Sequence, residues 1–266
     1  MPAWERDERR LLSYLAATAC LLFFFALALG AALAKSPTTD EPLHLLRGLL
    51  LQQTGDLSMQ YEHAPLSHRL AGVLLASEGQ VPAVQQLATW ASGDRGEISQ
   101  ELLWRTGIDV QRMLFLARLA MVLAGVLLGS LIGSWALAWQ KRWGMLIALT
   151  LFAGAPNLIA HAALVTTDLA ATVTYFGGVY TWWRFLKWRN RKWWLLTAVF
   201  LGLGLATKLT AVFLMPVLFL QLLLFATKRR ELGRLLAAWL GALPIALLVL
   251  WLIYGLEMGR VSFLPF

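Results

Sequence analysis

The chain has 266 residues, 59% of them hydrophobic and only 14% charged, with a mean hydropathy of +0.63. Soluble domains carry roughly a quarter charged residues, so the composition excludes an ordinary soluble globule and implies an integral membrane protein. A formal charge of +8 would suit nucleic acid, but no basic stripe with a nucleic-acid-binding pattern is present. Cations that hold loops on one side of a membrane account for the charge.

In chain order, the first apolar run is 11–34, behind "WERDERR". It exceeds the roughly 7–15 residues of a signal-peptide core and suits the ~20 that span hydrocarbon. An uncleaved first span is therefore expected. Cys20, the one cysteine, lies inside this run and has no partner for an intrachain disulfide.

A long amphipathic stretch, 35–112, follows. It begins "KSPTTDEPLH", which sets Asp40 and Glu41 at a membrane boundary, where charge is costly unless it is solvated or useful. Pro42 suits a first helical turn, with Thr39, Asp40 or Glu41 near the cap. Leu43, Leu46 and Leu50 recur at helical spacing, and Gly55 stops the run. A second short helix is predicted from about Pro65. Both helices are expected to lie in the membrane interface, with "ASGDRGEISQ" as a polar tip.

Apolar runs resume at 113–139, 144–159, 169–183, 193–207, 209–226 and 235–254, giving seven candidate spans. The run 193–207 is short for a crossing, so it is either tilted or broken within the membrane. With the N-terminus in the cytoplasm, alternating spans put most lysines and arginines inside, against only Glu5, Asp7, Glu8 and Glu231. The four histidines, with Asp40, Glu41, Glu62 and Asp168, fall outside. The predicted fold is all-α and polytopic: about seven transmembrane helices with a long outer first loop, as one module over 1–266.

Four groups of residues are able to carry chemistry. Asp40 and Glu41 read either as acids at the positive end of a helix dipole or as a general base at the membrane face. Glu62, His63 and His68 in "YEHAPLSHRL", or Glu41 with His44 at i, i+3, would suit a divalent metal. They lack further ligands at fixed spacing, so no cofactor is required and a hydrated interface is the simpler reading. Asp168, behind Thr166 and Thr167, reads as part of a helix cap or as a second carboxylate for the same site. Arg118 and Lys208 either snorkel or hold a lipid phosphate in low dielectric.

The order of these motifs along the chain is more specific than any one of them. A span, then "DEPLH", "EHAPL", "ARL", "NLIAHAALVTTD" and "GLGLATKLTAVFLMP" resembles the N-terminal half of GT-C glycosyltransferases. More narrowly it is similar to the protein O-mannosyltransferase and aminoarabinose transferase-like group, over Leu11 to about Pro216. The resemblance implies a membrane glycosyltransferase that moves a sugar, with inversion, from a polyprenyl-phosphate donor to a hydroxyl acceptor on protein, lipid or glycan. It implies a site on the outer face of a bacterial inner membrane. Asp40, Glu41 and Asp168 would then be catalytic, with Glu62, His63, Arg118 and Lys208 binding substrate. Ala64 stands where the family's element has its first proline. Members of the group are longer, so the C-terminal part of the family fold is expected to be missing. The rival readings are a transporter or flippase without catalysis, and a scaffold subunit.

Overall fold

The computed structural model describes residues 3–60, 63–75, 81–226 and 228–256, and these residues form helices and loops with no strand. The first helix, α1 (Ala3–Ala34), shows Leu11, Leu12, Leu22 and Phe23 to the outside, as a lipid-facing helix does. Its inner side packs on α5 (Val110–Ala153), where a Cβ on Gly125 would come within 2.7 Å of the Phe24 ring.

α5 is not one span. Gln140 and Lys141 are non-helical, and Lys141 has φ 58. Leu149 packs on Gly133 and Phe152 on Gly129. A straight helix would hold those pairs roughly 24 and 35 Å apart, so the chain reverses at 140–141 and the two arms run antiparallel. The expected run 144–159 is in turn divided at Gly154, before α6 (Pro156–Ala162), and α7 (Thr167–Trp188) leaves α6 at a bend of 115°. Then come α8 (Arg191–Leu205), a 3-10 turn (Leu209–Phe213), α9 (Leu214–Phe225) and α10 (Arg229–Ile253). A Cβ on Gly202 would lie 2.5 Å from the Ala246 carbonyl oxygen, so α8 and α10 cross backbone to backbone. Among the described residues three helices are long and apolar enough to cross a membrane, or four if α6 and α7 count as one broken span.

The stretch before α5 is a packed helical unit. It holds α2 (Glu41–Thr54), α3 (Leu66–Leu75), α4 (Arg95–Trp104) and three 3-10 turns. α2 starts and stops as Pro42 and Gly55 dictate, with Gly55 at φ 75. Its apolar side turns into the protein: Leu45, Leu46, Leu49 and Leu50 are buried against Ala71, Leu75, Ile98, Leu102 and Leu114. α2 and α3 meet at Gly48 and Gly72, where a Cβ on Gly72 would lie 2.3 Å from the Gly48 oxygen. The expected polar tip is largely exposed over 91–97, but it opens a helix. Asp94 caps α4 by accepting from the N–H groups of Gly96 and Glu97, and Ile98 and Leu102 turn inward.

Candidate active site

The acids at the head of α2 have different fates. Asp40 occupies the N-cap position, yet its side chain makes no capping hydrogen bond, and the residue is exposed. The cap explanation for its carboxylate therefore does not hold. Glu41 is fully buried. Its Oε2 accepts from the backbone N–H of Thr38 (2.9 Å), and its Oε1 from that of Val165 (3.0 Å). Arg118 supplies the rest, donating from Nε to Oε1 (2.8 Å) and from Nη2 to Oε2 (2.7 Å).

Arg118 is equally buried, and its remaining donors go to the carbonyls of Ala32, Lys35 and Ser36. A guanidinium has five N–H groups, and these contacts use them all. Arg118 therefore neither snorkels nor has a donor left for a phosphate, which corrects the sequence expectation. Burial alone would raise the Glu41 carboxyl, but the Arg118 hydrogen bond and the two backbone N–H groups outweigh it. They hold Glu41 below the usual carboxylate range. One ion pair thus fastens the end of α1, the start of α2, the first arm of α5 and the turn before α7.

That turn presents Asp168, in the first turn of α7 and half-exposed. Lys208 Nζ lies 3.0 Å from Asp168 Oδ1, and His161 Nδ1 lies 4.0 Å from Oδ2. Lys208 is held between α8 and the 3-10 turn, an extended residue in an otherwise helical stretch. Beside it a groove of about 380 Å³ is lined by Leu205, Leu209, Leu247, Leu250, Trp251 and Tyr254. The start of α3 joins the same end of the bundle: Leu66 N–H donates to the Ala206 carbonyl (2.8 Å), and Arg69 Nε to that of Ile253 (2.8 Å).

Three of the four histidines form a group that sequence reading left scattered. His44 Nδ1 and His68 Nε2 are 2.8 Å apart, His68 Nδ1 donates to Gln60 Oε1 (2.5 Å), and the His63 ring stands 5.4 Å from that of His44. With the Gln60 bond fixing the proton on Nδ1 of neutral His68, its Nε2 accepts from His44. Burial, then the charges of His63 and Arg47, lowers His44 to about 4; burial and His44 push His68 well below the ordinary histidine value. Glu62 lies outside the described residues. Among the described residues no group of three or more His, Cys, Asp or Glu side chains is arranged to hold a metal ion.

Apolar helices, several of them reversing on one another, with uncapped acid and a cation gathered at one end, define a multi-pass integral membrane protein with a polar site at a bundle end. The chain belongs to the dolichyl-phosphate-mannose-protein mannosyltransferase family, whose model matches residues 107–254, within the GT-C glycosyltransferases. Arg118, Asp168 and Lys208 fall inside the matched segment; Asp40, Glu41 and His63 precede it. No curated protein matches the chain.

Proposed function

We propose that the protein transfers a sugar from a polyprenyl-phosphate donor to a hydroxyl acceptor, with inversion, at the outer membrane face, where Asp40 is the general base. The carrying observation is that the Glu41–Val165 bond and the Asp168–Lys208 pair draw the head of α2, the head of α7 and one exposed cation to a single end of the bundle. The family match supports the donor class.

The reaction uses these residues as follows. The acceptor oxygen attacks the anomeric carbon and the bond from that carbon to the phosphate oxygen breaks. The hydroxyl proton passes to Asp40, whose carboxylate has no capping bond to give up. Polyprenyl monophosphate leaves carrying one more negative charge than the phosphodiester had. Lys208, held by Asp168 and 39% exposed, meets that developing charge, while the lipid chain lies along the Leu205–Trp251 groove. Glu41 and Arg118 position Asp40 rather than touch substrate, and His63, whose ring stands 5.4 Å from that of His44, contacts the acceptor. Seven crossings fit this reading: α1, the two arms of α5 with α6 continuing the second, α7, α8, the 3-10 turn with α9, and α10.

The test is transfer of mannose from polyprenyl-phosphate mannose by the full-length protein, with donor binding measured separately. Asp40→Asn keeps shape and removes the base, so turnover should fall ~10²–10⁴-fold while donor affinity holds. Lys208→Ala should weaken donor binding by ~1.5–3 kcal/mol. Near-normal turnover by a well-folded Asp40→Asn protein would reduce Asp40 to a helix terminus.

A further inference from the structure

The end of the bundle opposite to Asp168 and Lys208 carries a second ordered arrangement of charge that sugar transfer does not use. Two chain reversals there have the same make-up, "WQKRW" at 139–143 and "WRNRKW" at 188–193, each a pair of tryptophans bracketing cations. At each reversal a cation takes the left-handed backbone, Lys141 at φ 58 and Arg189 at φ 54, where glycine would be unstrained. Trp135, one turn before Trp139, packs on Tyr180 and Trp183 and so brings the first reversal beside the second.

At the second reversal three cations, Arg184, Lys187 and Lys192, rest on rings. The Arg184 guanidinium stands 4.6 Å from the centroids of both Trp188 and Trp193, and donates from Nε and Nη2 to the Tyr180 hydroxyl. Lys187 Nζ lies 5.1 Å from both Trp183 and Trp188, and Lys192 Nζ lies 5.9 Å from Trp193. Ring faces hold a cation in place without neutralising it. Arg189 pairs with Glu231 of α10, but Arg191–Lys192 and Arg229–Arg230 open α8 and α10. Cations at the positive end of a helix dipole are unfavourable unless an anion joins them. Trp139 (69% exposed), Trp143 (77%) and Trp188 (44%) stand outward around the same end, the placement of an interfacial aromatic belt.

We propose that these two tryptophan-bracketed reversals, with the start of α10, form a binding site for the phosphodiester headgroups of anionic phospholipids. The rings set the depth and hold the cations, and the lipid phosphates supply the counter-charge that the protein leaves out. Soluble phosphate offers the charge without the acyl chains that keep it at this depth, so the site selects a bilayer lipid. The inference stands apart from sugar transfer, whose residues lie at the other end.

The purified full chain, in nanodiscs of phosphatidylcholine with a minor share of phosphatidylglycerol, tests it by native mass spectrometry of the lipids retained. The parent should retain phosphatidylglycerol above its bulk share. Lys187→Gln with Lys192→Gln, side chains that among the described residues make only ring contacts, should lose about fivefold of that preference per cation, and Arg184→Gln should extend the loss. Lys187→Arg with Lys192→Arg should keep it. A charge-matched variant in the outer loop, Lys35→Gln with Arg105→Gln and Arg112→Gln, should retain the parent's preference. The proposal is overturned if the parent shows no enrichment, if the outer-loop variant loses as much, or if inorganic phosphate displaces the lipid.

Discussion

Glu41 and Arg118 lie 77 residues apart in the chain, and neither has a sequence neighbour of opposite charge able to neutralise it inside apolar surroundings. An arginine in a span beside an acid at a span's lip is a signal that the two will meet, and it was available in the sequence. Reading Arg118 as a phosphate ligand went astray because local sequence shows a charge but not the carbonyls around it. Those carbonyls, in the last turn of α1 and just beyond it, are orphan acceptors that a helix end must satisfy. Arg118→Ala would leave the buried Glu41 carboxylate and three carbonyls without their donor, which costs about 3–5 kcal/mol. Arg118→Met with Glu41→Leu should recover only the part owed to the unpaired carboxylate, since the three carbonyls still lack a donor, and it should not recover turnover, because Val165 loses the acceptor that ties α7 to α2. Thermal unfolding and transfer assays on the same preparations separate the two. If Arg118→Ala unfolded at the parent's temperature, the pair would not be the fastening described.

At the scale of elements, the α2–α3 pair was legible in its boundaries but not in its setting. Pro42 and Gly55 frame α2 and Pro65 precedes α3, because proline and glycine act locally. The burial of α2 was hidden, since it depends on α4, and α4 was missed although Asp94, Glu97 and the inward Ile98 and Leu102 make up an ordinary helix start. The backbone contact at Gly48 and Gly72 draws His44 and His68 together, which spacing in the chain could not reveal. That contact makes the helix pair sensitive to acid. His44 and His68 share one proton between Nδ1 and Nε2, and charging both would set two donors face to face beside Arg47. Both groups have folded values below the unfolded 6.5, so the unfolded chain binds more protons in that window and stability falls as the pH drops from about 6.5 towards 4. Burial is the main cause, and Asp40 and Glu41 oppose it only in part. The unfolding temperature against pH should show this decline, and His44→Asn, which can still bond to His68, should flatten it. An equal decline in that variant would assign the acid sensitivity elsewhere.

For the whole molecule, the apolar runs announced the helices and the membrane, while the reversals inside and between helices needed coordinates. The run 113–159 looks like two spans by composition, and the turn at Gln140–Lys141 divides it into two antiparallel arms; the further break at Gly154 separates α6. The two ends of the bundle differ in chemistry. Asp40, Asp168 and Lys208 share one with the starts of α2 and α3, whereas the reversals at 140–141 and 189–190, and the start of α10, hold arginines and lysines among tryptophans. A membrane retains cations on its cytoplasmic side, so the prediction is that the acid end of the bundle faces outward. Single cysteines at Trp188, Arg229 and Asp94, in a chain with Cys20 replaced by Ala, test this with a membrane-impermeant thiol reagent on intact cells. Position 94, exposed at the head of α4, should label from outside, and positions 188 and 229 only after the membrane is opened. Labelling of position 94 solely from the cytoplasmic side would invert the bundle. A donor lipid and an acceptor would then have to meet Asp40 on the inner face, and the proposed site would lose its access to outer-face acceptors.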